Sequence, residues 1–411
     1  MGELRSNHFH GGLDIKTGGR TGLAVHAAAE GYISRISISP NGYGKRIAIS
    51  HPNGYVTQYG HLDHFSKEIE AYITDLQYEK KTFSIEVFPE KDRFILEKGE
   101  VFAYSGNSGS SGGPHLHFEV RDSLDNVYNP LKFGFDEIVD KVAPAVYRIS
   151  LNPLGSKSFV DGKHEKKIYR LGTYKGKYTV NKKISGLGDL GLSIKAYDRM
   201  NGTYNKYGVQ EIQVWMDGER IFSQNIDYYP ISLNRHINLH VDYNEYYNRG
   251  SWFHKCYVSN GNQLPFYQYK DRRGILQIEE GQTHEIQVFI KDSYMNTSVL
   301  EFKITGENID NEKKRTEYDS LSKIKINHEL HGSLLEMKVK NVPNDAPLLI
   351  HSLYKTKKIE KSMISGKSNI YFYNLNDGIP DSLSIEDTTF TLPYQYMIQP
   401  GRKTIYYNDP I

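Results

Sequence analysis

One cysteine, Cys256, stands in 411 residues, so an intramolecular disulfide and a cysteine-ligated zinc finger are both excluded. Any metal held by this chain must take histidine and carboxylate ligands. Long apolar runs are missing too: none reaches 18 residues, and no transmembrane helix is expected. Neither sign of charge dominates, because 51 Lys and Arg face 49 Asp and Glu for a net charge of +2. No basic stripe points to nucleic acid, and no acidic tail points to a disordered interaction arm. The opening "MGELRSNHFH" has neither the basic start nor the apolar core of a secretory leader. A cytoplasmic location is not read from that missing leader. What the chain has in quantity is tyrosine (32) and glycine (36), with β-branched residues in short alternating runs between Gly, Asn, Asp and Pro. That is the composition of strands and turns, and the protein is expected to be mostly β.

Residues 23–60 read as an antiparallel meander. "GYISRISIS" alternates, "PNGYG" turns, "KRIAISH" returns, "PNG" turns again and "YVTQYGHL" follows. Residues 62–98 read as an excursion from the sheet, with a helical turn or two in "HFSKEIEAYITDLQYEKK" and alternation in "FSIEVFPEKDRFILEKGE". A strand, a long Gly/Ser loop and a second strand follow in "GEVFAYSGNSGSSGGPHLHFEVRD". The segment "DKVAP" at 140–144 reads as a linker, and the polar "ENIDNEKKRTEYDS" as a second one. These divide the chain into 1–140, 145–307 and 318–411. The middle part, with many short strand patterns, is expected to be an immunoglobulin-like β-sandwich, and the last a smaller β domain.

The histidines carry the chemistry. In "PHLHFEV", taken as a strand, His115 and His117 point to one face and Leu116 and Phe118 to the other. Two imidazoles so placed suit a metal ligand beside a catalytic group, although a solvent-facing strand edge would give the same pattern. In "HFHGGLD", Gly11 and Gly12 argue against a helix and for a loop or strand end, where glycines let the backbone run close to a metal or substrate. His10, Asp14 and His117 would then supply two nitrogens and one oxygen, leaving a fourth position for water, as in catalytic zinc. His61, in "TQYGHLD", adds an imidazole able to handle a proton or an oxyanion.

Residues 10–121 resemble the catalytic domain of lysostaphin/LytM-type zinc endopeptidases, which cut peptide crosslinks of bacterial cell walls. The matching pieces are "HGGLD", "AAAEGYI", "GYGKRIAISHPNGYVTQYGHL", "KGEVFAYSGNSGSSGGPHLHFEV" and "NP" at 129–130. The resemblance implies a small antiparallel sheet with an open groove. It places His10, Asp14 and His117 on the zinc ligands, and His61 and His115 on the two catalytic histidines that do not bind metal. It further implies one Zn2+, peptidoglycan stem peptides or crossbridges as substrate and a periplasmic or secreted location with the leader removed, while the architecture alone suggests the C-terminal β domains as a contact for wall or envelope protein. A catalytically silent scaffold or a wall-binding module on the same fold is the competing reading. Two departures stand out: few residues precede His10, and the 62–98 excursion is long, so it should border the cleft and narrow or cover it. His8 is a rival ligand to His10, and Asp63 and Glu119 could each orient an imidazole. His26, His51 and His64 read as turn or surface residues, Cys256 as a semi-buried packing residue. The tyrosines of "DYYP" and "DYNEYYNRG" could stack on sugars.

Overall fold

A computed structural model describes residues 3–391, apart from 6, 156–157, 164, 308–322, 332–333, 353–354, 366–367, 378–379, 381 and 387. In chain order the N-terminal unit runs β1 (Leu4–Arg5), β2 (His8–Phe9), β3 (Leu13–Lys16), β4 (Ala24–His26), β5 (Gly31–Ile38), β6 (Lys45–Ser50) and β7 (Tyr55–Phe65). It continues with α1 (Lys67–Lys80), β8 (Ile85–Val87), β9 (Ile95–Leu96), β10 (Val101–Ser105), β11 (His115–Asp122) and β12 (Asn126–Tyr128). The strands β12-β11-β7-β6-β5-β8 lie side by side, with β3 beside β11, β9 beside β5, and β10 between β4 and the far end of β7. Every pairing among them is antiparallel. The meander predicted for 23–60 is β5-β6-β7.

Period-2 alternation sorts this sheet into two faces. Leu116, Phe118 and Val120 of β11 join Ile33, Ile36, Ile47, Ile49, Tyr59, Leu62 and Phe102 in one apolar core. His115, His117, Glu119 and Arg121 therefore stand on the other face. The 62–98 stretch differs from its expected placement. Strand β7 continues to Phe65, and α1 buries Ile69 and Ile73 in the same core. β8 and β9 add to β5, on the far edge from β11. The excursion thus covers the apolar face of the sheet, away from the histidines, because its own apolar residues recur at helical spacing and need that face. It does not roof the cleft.

The middle part encloses a separate core that includes Ile149, Leu192, Val214, Ile290 and Leu300. Its two sheets share the long strand Ile184–Tyr197 and fit the expected sandwich. They are not wholly antiparallel, since Lys177–Val180 and Ile184–Tyr197 each pair in parallel with Thr297–Gly306. The charged stretch read as a second linker lies almost entirely outside the described residues. Beyond it, two four-stranded antiparallel sheets enclose a third core around Met337, Leu348 and Tyr371. No helix of the described residues is long and apolar enough to cross a membrane.

The first sheet does not stop at the expected boundary near residue 140. The strand Tyr228–Pro230 pairs with β12, in register Val127↔Tyr229, and extends it. Beneath this seam Phe9, 1% exposed, sits among Val127, Ile226, Tyr229, Ile237, Val241, Leu264 and Phe266. Its ring lies 5.0 Å from that of Tyr229, and its backbone N–H donates to Asn234 Oδ1 at 2.6 Å. At the other end of β12, buried Asn129 donates to Gln210 Oε1 (2.8 Å) and Ser293 Oγ (2.9 Å). A sequence reading by local pattern has no means of seeing a strand that pairs across a hundred residues. Phe9→Ala is expected to cost about 3–5 kcal/mol, read by chemical denaturation, and to loosen His10 next to it.

Candidate active site

The strand β3 lies in register with β11, pairing Asp14 with His117 and Leu13 with Phe118. The approach is close. A Cβ on Gly12 would stand 2.3 Å from the Phe118 carbonyl oxygen, and one on Gly11 2.9 Å from Val127 Cγ1. The two glycines serve the approach of chain to chain, where the sequence suggested approach to a metal or substrate. This contact delivers His10, Asp14 and His117 to one point. His10 Nε2 lies 3.0 Å from Asp14 Oδ1 and 3.2 Å from His117 Nδ1, and His117 Nδ1 lies 2.9 Å from Asp14 Oδ1. Tetrahedral ligands about 2.0 Å from a zinc ion stand about 3.3 Å apart, close to these edges. His10 and His117 are buried, while Asp14 is partly open to solvent.

His61 reaches the cleft through a bulge. The register of β6 with β7 steps from Lys45↔Leu62 to Ile47↔Tyr59, and the extra residue lies at Gly60-His61. His61 has φ +58°, a left-handed conformation that a histidine adopts at a cost of order 1 kcal/mol or more. The bulge keeps Tyr59 and Leu62 both in the core and turns His61 outward, with its ring centroid 4.7 Å from that of His115. At the same point β7 changes neighbour from β11 to β10, which opens the sheet beside the triad.

The Gly/Ser loop between β10 and β11 sets both tautomers. His61 Nδ1 donates to the Ser108 carbonyl at 2.9 Å, and His115 Nδ1 donates to the Gly113 carbonyl at 2.8 Å. The Nε2 atoms are left for the cleft, and that of His115 lies 3.4 Å from Asp14 Oδ1. Their proton affinities diverge. Burial lowers His61 to about 4, so it is neutral at ordinary pH, whereas the neighbouring Asp14 carboxylate raises His115. Burial alone would raise Asp14, but hydrogen bonds with His10, His115 and His117 hold it far below the usual carboxylate range.

Behind the triad is a chain of buried charges. His117 Nε2 faces Glu119 Oε1 at 2.8 Å, which leaves Nδ1 as the nitrogen available to a cation. Glu119 accepts from the Tyr43 hydroxyl (2.7 Å) and from Arg121 Nε (2.8 Å), and Arg121 also reaches Asp125 at 2.9 Å. Burial would raise Glu119, yet His117 and Arg121 hold it well below its ordinary value. Burial would lower His117, but its hydrogen bonds with the Asp14 and Glu119 carboxylates push it up to about 9. Arg5 ion-pairs with Asp14 through the oxygen turned away from the histidines. Strand alternation pointed to Glu119 and reaches Arg121 by the same period, but Tyr43 and Arg5 carried no local signal.

The remaining candidates separate cleanly. His8 is exposed and outside the cluster. Asp63 pairs with exposed His64 at 2.8 Å rather than orienting His61, and His64 stacks on Tyr104. His26 is exposed and meets the Gly99 carbonyl. His51, read as a turn or surface residue, is buried: it donates to the Glu30 carbonyl and meets Thr57 Oγ1, both at 2.7 Å. Cys256 is fully buried in the second core. In "DYYP", Tyr229 is buried and half-exposed Tyr228 stacks on Tyr128. Tyr243 and Tyr247 form an exposed stack on a short helix.

The Glu119–His117 contact makes a specific prediction. Glu119→Gln keeps the shape but removes the charge behind the ligand, and is expected to weaken metal retention by about 10–100-fold, measured by competition with a chromogenic chelator.

Residues 8–77 match the family described as peptidase family M23. The chain is 30% identical over 118 residues to the DD-carboxypeptidase/endopeptidase Mpg of Neisseria meningitidis serogroup B, covering 29% of this chain and 21% of that protein. It is 31% identical over 122 residues to an uncharacterized metalloprotease of Haemophilus influenzae, covering 30% and 20%. Among solved structures it is similar to the catalytic domain of the antimicrobial peptidase lysostaphin from Staphylococcus simulans. There the identity is 23%, the cover 30% of this chain and 77% of that one, and the TM-score 0.22. The chain thus spans about a fifth of the length of the curated relatives it matches. The antiparallel N-terminal domain that carries His10, Asp14 and His61, and brings them to His115 and His117, belongs to peptidase family M23.

Proposed function

We propose that this protein is a zinc-dependent endopeptidase of the bacterial envelope that hydrolyses peptide bonds of peptidoglycan stem peptides or crossbridges. The observation that carries this reading is the convergence of His10 Nε2, Asp14 Oδ1 and His117 Nδ1, within 3.2 Å of one another, beside two further imidazoles. Three lone pairs aimed at one point, two from nitrogen and one from a carboxylate, suit a borderline-soft cation of tetrahedral preference. When bound there, zinc would polarise an amide carbonyl and lower the pKa of water.

The chain's own residues supply the rest. His61, neutral and with Nδ1 committed to Ser108, offers Nε2 as acceptor for the proton of the attacking water. His115, raised beside Asp14 and fixed by Gly113, is suited to hold a proton at Nε2, to meet the developing oxyanion and to pass the proton to the leaving amine. The two environments push the two proton affinities apart, which is the arrangement a base and an acid need. Glu119, Arg121 and Tyr43 hold His117 in place, and α1 leaves the cleft side of the sheet open.

The test pairs metal analysis with release of new amino groups from purified peptidoglycan. Wild type is expected to hold about one zinc and to cut, His10→Ala to lose both, and His61→Ala to keep zinc while losing at least about a hundredfold in rate. A zinc-loaded wild type that releases no amino groups from any peptidoglycan would overturn the reading in favour of a silent scaffold or wall-binding module. The pH profile is a second check. With His61 lowered to about 4, kcat/KM of zinc-saturated enzyme is expected to show no acid limb near 6.5, where an ordinary histidine titrates. The fall comes only as pH approaches the lowered value and the base gains its proton, with retained zinc assayed in parallel.

A further inference from the structure

A second group of carboxylates lies far from the histidines in sequence and role. Asp140, Asp198 and Asp292 are 6%, 6% and 1% exposed, and one oxygen from each lies within 4.8 Å of the others. They come from three separate segments. Asp140 opens the "DKVAP" stretch that leaves the peptidase domain, Asp198 follows the strand Ile184–Tyr197, and Asp292 follows the strand Thr283–Lys291.

Part of each carboxylate is spoken for by backbone. Asp140 Oδ1 accepts from the N–H groups of Val142 and Asn201, both at 3.1 Å. Asp292 Oδ1 accepts from the N–H groups of Tyr294 (2.8 Å) and Asn296 (2.9 Å), and its Oδ2 accepts from Asn296 Nδ2 at 2.7 Å. Two buried oxygens inside the cluster have no hydrogen-bond partner at all: Asp140 Oδ2 and Asp198 Oδ1. Among the described residues no Lys or Arg forms an ion pair with any of the three. Buried carboxylate oxygens left without a donor, in a cluster with no Lys or Arg partner, are costly for a fold to hold. Burial together with the charges of Asp292 and Asp140 raises Asp198 to about 7, which expresses the same repulsion.

We propose that Asp140, Asp198 and Asp292 form a structural calcium site, which ties the segment leaving the peptidase domain to two loops of the neighbouring β unit. The donor set is all oxygen, which selects a hard cation and disfavours zinc. Calcium–oxygen distances of about 2.3–2.6 Å place ligands on opposite sides of the ion about 5 Å apart, which the 4.8 Å span accommodates. Magnesium asks for a tighter octahedron and keeps more of its water. The Asn296 side chain, which donates to both Asp292 and the Asp140 carbonyl, already draws two of the three segments together. The site is independent of the histidine triad and does not rest on the activity proposed above.

The experiment uses the full chain, with its histidine site first saturated with zinc, and titrates calcium chloride by calorimetry and by thermal melting, with magnesium chloride in parallel. Wild type is expected to take up about one calcium per chain, in the micromolar to millimolar range, with a rise in Tm that magnesium reproduces only weakly. His10→Ala is expected to keep the calcium response, which separates the two sites. Asp198→Asn and Asp140→Asn are each expected to weaken calcium binding by at least about tenfold. Asp198→Asn should melt no lower than wild type without calcium, because it removes one of the repelling charges. Absence of stoichiometric calcium uptake by wild type would overturn the proposal and leave a carboxylate cluster relieved by protonation. Uptake unchanged in both Asn variants would overturn it equally. Should one variant fail to fold, the wild-type titration and the other variant still decide.

Discussion

The contact on which this site depends is the antiparallel pairing of β3 with β11. It puts Asp14 opposite His117, and Gly12 lets the chain pass so near the Phe118 carbonyl that any side chain there would collide. His10, two residues before Gly12, is carried to the same point, and three ligand atoms end within 3.2 Å of one another. Without a cation the arrangement brings carboxylate and imidazole lone pairs together at a buried point. With one, the same crowding would serve as a ready coordination set and would need little reorganisation.

Around that pairing the protein uses burial and charge in opposite ways. His117 is backed by Glu119, itself held by Arg121 and Tyr43, so a fully buried carboxylate remains ionised behind that imidazole. His61 and His115 sit next to each other, yet a loop carbonyl fixes each ring and their surroundings shift them apart. The left-handed bulge at His61 is the strained element of the site. It costs stability and gives direction, since regular alternation would have sent that side chain into the core.

The middle part of the chain is joined to the peptidase domain through structure that belongs to both. Phe9, adjacent to His10, is buried among residues 226–266, and Tyr228–Pro230 continues the N-terminal sheet. Burial of one aromatic ring accounts for a few kcal/mol, enough to hold a short N-terminal strand that has only two paired residues of its own. The second unit therefore buttresses the strand that leads into His10 as well as following it in the chain.

Sequence alone determined what local pattern and residue chemistry encode. Alternation gave β5, β6, β7 and β11, the His-x-His of β11 put His115 and His117 on one face, and a single cysteine limited any metal to histidine and carboxylate. The resemblance of "HGGLD", "GYVTQYGHL" and "GPHLHFEV" to a peptidase family picked out His10, Asp14, His61, His115 and His117 as candidates, and the fold brings the five side chains together. Only the tertiary structure decided where the 62–98 excursion packs, why Gly12 must be glycine, that His51 is buried, and that β12 gains a strand from residues 228–230. It also decided that Glu119 meets Tyr43, and that Asp140, Asp198 and Asp292 meet at all. Each of these rests on contacts between residues distant in the chain, where no periodicity links the partners and only the closing of the sheets brings them together.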